Sequence, residues 1–86
     1  MGEILITFIK QSAAFNMKKA ANRAGISVKI VQTPKELSEM GCSYAISAKR
    51  SDMSKLISIS RNYRIEYRRV FGIFADISGK KVYSQI

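Results

Sequence analysis

The stretch EILITFI, Glu3–Ile9, is short, β-branched and apolar on both of the faces that a strand presents. Such a segment is stable only as a central strand, with neighbours on either side and cover on both faces. The rest of the chain must therefore supply flanking strands and something to bury them.

The next segment, SAAFNMKKAANRAG, has Ser12 placed as an N-cap and Gly25 as a C-terminal stop. Between them Ala13, Met17, Ala20 and Ala24 recur at helical spacing, while Lys18, Lys19 and Arg23 lie off that stripe. SVKIVQ reads as a second strand with Val28, Ile30 and Gln32 on one face. Pro34, the one proline, opens a connection that ends at Gly41. CSYAIS reads as a third strand, with Cys42, Tyr44 and Ile46 facing one way. In SDMSKLISISRNY, Ser51 is placed to cap a second helix and Asp52 sits in its first turn. The apolar stripe there is Met53, Leu56, Ile57 and Ser60. A fourth strand lies within EYRRVFGIFADI, and the Ser78-Gly79 turn signal predicts a terminal hairpin.

Strand, helix, strand, strand, helix, strand is the order of the ferredoxin-like βαββαβ fold, an antiparallel sheet with two helices on one face. The expectation is one α+β domain over residues 1–86, its core at about 3–76 and a strand or hairpin extension at 77–86. A chain of 86 residues buries only about 60–65% of its unfolded surface. Because the first and fourth strands are apolar on both faces, a second copy of the chain is expected over the sheet's open side.

Much chemistry is excluded by what the chain lacks. It has no histidine, the commonest general base and metal ligand. One cysteine and scattered carboxylates make no zinc site, and the glycines stand singly, without a phosphate-binding or dinucleotide fingerprint. No cofactor is implied, and no apolar run approaches a membrane span. The chain reads as a carrier or binding protein more readily than as a stand-alone enzyme. A lone cysteine fits a reducing cytoplasm.

Whatever covalent chemistry exists runs through Cys42. In the expected topology it lies at the sheet end that also holds Lys10, Ser12 at the first helix's N-terminus, and Arg61 and Arg64 after the second helix. Lys35 is in the adjoining connection. A helix N-terminus and nearby cations favour thiolate, the reactive form, and Gly41 permits close approach. Free cysteine is also among the most buried residue types. The residues alone leave both readings of Cys42 open, packed side chain or reactive thiol.

At this point the sequence resembles a known family. LITF, AGISVKIVQTPKELS and GCSYAIS, with Thr33, Pro34, Leu37, Ser38 and Cys42 as the sharpest part, are similar to the small bacterial selenium/sulfur carrier protein-like family over roughly residues 3 to 74. The resemblance implies a cytoplasmic protein whose cysteine carries sulfur or selenium as a persulfide or perselenide, with a donor and an acceptor protein as partners. Two departures stand out. Ser43 follows the cysteine where the family often has glycine, and the chain continues through Ile77–Ile86 where relatives are generally shorter.

Charge supplies the competing function. With 15 Lys and Arg against 6 Asp and Glu, the net charge of +9 attracts polyanions. The alternative is thus a basic nucleic-acid-binding or protein-interaction module without chemistry. Its candidate surface is Tyr67, Arg68 and Arg69 in YRIEYRRVF. The commoner reading of such a run is a solvated edge strand whose charges discourage pairing.

Overall fold

A computed structural model describes residues 2–37 and 44–86. It holds five strands, β1 (Glu3–Phe8), β2 (Lys29–Gln32), β3 (Tyr44–Lys49), β4 (Arg69–Ala75) and β5 (Lys81–Gln85). The helices are α1 (Gln11–Arg23) and α2 (Met53–Asn62), and short 3₁₀ turns occur at Lys35–Leu37 and Arg50–Asp52. The strands form one sheet in the order β2-β3-β1-β4-β5, every neighbouring pair antiparallel. The result is an α+β architecture with two helices and five strands.

The doubly apolar first strand sits at the centre, as its composition requires. Ile4, Ile6 and Phe8 are fully buried in the layer beneath the helices, with Met17, Ile46 and Leu56. Burying each such side chain is worth about 1.5–3 kcal/mol. Leu5, on the opposite face, forms a second cluster with Ala45 and Phe71. Val31, Leu37, Ile73 and Tyr83 pack against that cluster, so the centre of the helix-free face is shielded within one chain. Along the β4–β5 edge of the helix side, by contrast, Phe74, Val82 and Ile86 stay about half exposed.

Both helices end in the same hydrogen-bond pattern. After α1, Ile26 N–H donates to Ala21 C=O and Gly25 N–H to Asn22 C=O. After α2, Ile65 N–H donates to Ser60 C=O and Arg64 N–H to Arg61 C=O. The motif needs a left-handed residue at its turning point. Gly25 meets that need at φ 79°, as the sequence suggested, and Arg64 meets it at φ 53°.

Several local expectations are corrected. Ser12 is not the N-cap of α1: Lys10 holds that position in extended conformation, its carbonyl accepts from Ala13 and Ala14 N–H, and the helix starts at Gln11. Ser51 does not cap α2 either. The chain enters through the 3₁₀ turn, and Asp52 stands at the cap without a side-chain bond. The buried face of α1 is rotated toward Ala14 and Ala21, and Ala24 is exposed. On α2, Ile59 joins Leu56 and Ser60 in the interior. The run YRIEYRRVF is no edge strand. Residues 63–68 form a turn and a connection, and β4 begins at Arg69 between β1 and β5.

The hairpin closing the sheet follows its turn signal. Asp76 N–H donates to Lys80 C=O, while the Asp76 carboxylate accepts from Ser78 N–H and Oγ and from Lys80 N–H. Gly79 supplies the positive φ, 82°. Those hydrogen bonds, the Ser78 hydroxyl foremost, hold the Asp76 carboxyl below the usual aspartate range. Among the described residues no helix is long and apolar enough to cross a membrane.

Candidate functional site

Cys42 and Gly41, the two residues at the centre of the expected site, lie outside the described residues, as does Ser43. Thr33 follows β2 with its Oγ1 buried and, among the described residues, without a hydrogen-bond partner. Lys35 is exposed on the 3₁₀ turn, and Leu37 of that turn packs on the helix-free face. Tyr44, two positions after the cysteine, begins β3 opposite both Phe8 of β1 and Gln32 of β2. Its side chain packs against the helix-side core.

Of the cationic and polar residues expected near the thiol, the structure brings three together. Lys10, Ser12 and Arg64 line one cavity of about 290 Å³ with Asn16, Tyr63 and Glu66. The first turn of α1, which forms one wall, carries no acidic residue and no side-chain cap. Arg61 is exposed in the last turn of α2 and is not part of that wall, and Lys35 stands apart on its own turn.

The second expected surface is divided. Tyr67 and Arg68 line a smaller cavity of about 100 Å³ with Ile9, Lys10 and Glu66. Arg69, one residue on, is half-buried and donates from Nη1 to Gln85 Oε1 at 2.9 Å. Strand alternation turns it to the face opposite its neighbour Val70, which lies in the helix-side core.

Sequence reasoning did not single out Asn16, Lys19 and Arg23 as a group. With Ala20 they recur at i, i+3, i+4 and i+7, one stripe along α1, and they line a cavity of about 300 Å³ with Tyr63 and Ile65. The spacing was there to be read. What it lacked was the opposite wall, which comes from the chain that follows α2. Among the described residues no cluster of three or more His, Cys, Asp or Glu could hold a metal ion.

A small basic α+β chain, with two helices over a five-stranded antiparallel sheet, is what the fold and these surfaces define. A family model matches residues 3–71, and the chain belongs to that family, described as Putative Se/S carrier protein-like. The match spans Cys42 and every candidate site residue named above, and it ends before β5. No curated protein and no solved structure shows significant similarity to the chain.

Proposed function

We propose that this protein is a sulfur or selenium carrier in which Cys42 is the accepting and donating atom. The observation that carries this reading is the family match over residues 3–71, which contains the chain's one cysteine. Transfer needs little machinery. The Cys42 thiolate attacks the outer sulfur or selenium of a persulfide- or perselenide-bearing donor. The new Sγ–S or Sγ–Se bond forms as the donor's bond breaks, and the donor leaves as a thiolate. An acceptor nucleophile then takes the outer atom, and Cys42 departs as thiolate. No proton shuttle is required beyond solvent, which suits a chain without histidine.

Lys10, Arg64, Lys35 and Arg61 are the cations proposed to favour thiolate, with Ser12 and the open N-terminus of α1, while Gly41 allows a partner's close approach. The fold proposed is one ferredoxin-like domain. The order β4-β1-β3-β2 with both helices packed on one face supports it, and β5 is an addition at the β4 edge. A cytoplasmic location, a homodimer, and donor and acceptor proteins as partners complete the reading.

The test is a single-turnover reaction with a small-molecule persulfide, followed by mass spectrometry. Addition of one sulfur atom to the native chain, and none to Cys42→Ser, is the expected result. Equal labelling of both chains, or no labelling of either, overturns the proposal.

A further inference from the structure

We infer that the side of α1 turned toward the end of α2 is a binding trough for single-stranded nucleic acid. Two cavities adjoin there and share Asn16, Tyr63 and Ile65 as walls. One is lined at its outer end by Lys19 and Arg23, the other by Lys10, Ser12 and Arg64. Together they follow the length of α1, Gln11–Arg23, a distance of about 20 Å.

The charge in the trough is one-sided. Four cations line it, Lys10, Lys19, Arg23 and Arg64, against one carboxylate, Glu66, at the Lys10 end. All four side chains are exposed, so their charge faces solvent. Lys19 and Arg23, four residues apart on a rigid helix, present neighbouring charges about 5–6 Å apart at their stems, a spacing suited to successive phosphates. Ser12 and Asn16 add neutral donors between Lys10 and Lys19 along the trough.

The aromatic wall decides the kind of polyanion. Tyr63 is the C-cap of α2, is 58% exposed and lines both cavities. An open ring beside a row of cations is the arrangement that stacks an unpaired base while the groove follows the phosphates. An acidic protein partner would instead need an apolar pocket for an anchoring side chain. The apolar walls of the outer cavity are only Ala20 and Ile65. This trough is distinct from the Tyr67, Arg68 and Arg69 run.

The experiment is fluorescence anisotropy with a labelled, mixed-sequence single-stranded RNA of about 12 nucleotides over a salt series. The native chain is compared with Lys19→Ala/Arg23→Ala, with Tyr63→Ala and Tyr63→Phe, and with Lys80→Ala/Lys81→Ala, which removes equal charge at the β4–β5 turn. Circular dichroism verifies that each variant is folded, and all five positions are exposed. The expected result is about a tenfold loss for the groove pair, with a salt slope shallower by about one to one and a half. Tyr63→Ala loses about tenfold, Tyr63→Phe is unchanged, and the hairpin pair changes less than about threefold. Equal losses from the two charge pairs would assign binding to net charge and overturn the inference. Absence of binding at low salt, or tighter binding of polyglutamate than of RNA, would overturn it as well.

Discussion

Arg64 occupies at the end of α2 the position that Gly25 occupies at the end of α1. Both have positive φ, 53° and 79°, and both are followed by an isoleucine that donates back into the helix. Left-handed backbone costs a side-chain-bearing residue about 1–2 kcal/mol and glycine almost nothing. At Arg64 the chain accepts that cost and gains a guanidinium at the mouth of the trough.

Replacing Arg64 with glycine should therefore separate stability from binding. Arg64→Gly is expected to stabilise the fold by about 0.5–1 kcal/mol, after allowance for the looser unfolded chain, while weakening binding of the RNA probe. Urea unfolding and anisotropy on the same variant check both signs. A destabilised variant with unchanged binding would show that the arginine is there for the turn alone.

Thr7 and Arg69 join β1 to β4 through a side chain. Thr7 Oγ1 accepts from Arg69 N–H at 3.1 Å and donates to Arg69 C=O at 3.4 Å, and Thr7 is 1% exposed. Thr7→Val keeps the shape and removes the hydroxyl that accepts from that N–H. It is expected to cost about 1–3 kcal/mol in urea unfolding. Thr7→Ser, which keeps the hydroxyl, should retain more stability than a valine that packs as well.

The β4–β5 turn should respond to acid. The carboxyl of Asp76 is held below its ordinary value by Ser78 and then by Lys80, so its contribution to folding is present at neutral pH. That contribution is full above the unfolded aspartate value and is lost as pH falls through the lower folded one. NMR titration should place the Asp76 midpoint below that of a free aspartate. In Asp76→Asn, backbone amide protection in β5 should no longer change over that acidic range.

Much of this architecture is legible in the residues. Glu3–Phe8 had to be central because both of its faces are apolar, Gly25 had to end a helix, and Ser78-Gly79 had to turn a hairpin. Three things were not legible, each for a physical reason. Helix starts depend on how the chain leaves the preceding element. Lys10, emerging from β1, and Asp52, leaving a 3₁₀ turn, took the cap positions that Ser12 and Ser51 suit by composition. Leu37 reads as a connection residue, and its packing over Leu5, Ala45 and Phe71 depends on a fold-back that periodicity does not encode. The trough needed two walls far apart in sequence. Its α1 stripe was present as spacing, but Tyr63 and Arg64 join it only through the packed helices.

The identity of the transferring atom rests on Cys42, and intact mass tests it most directly. The native chain and Cys42→Ser are purified from lysate without reducing agent and weighed before and after adding a reductant. The account predicts a native species heavier by one sulfur or selenium atom, reductant-labile and absent from Cys42→Ser. A bare native mass, with a thiol that resists alkylation until the chain is unfolded, would contradict it and mark Cys42 as a packed side chain.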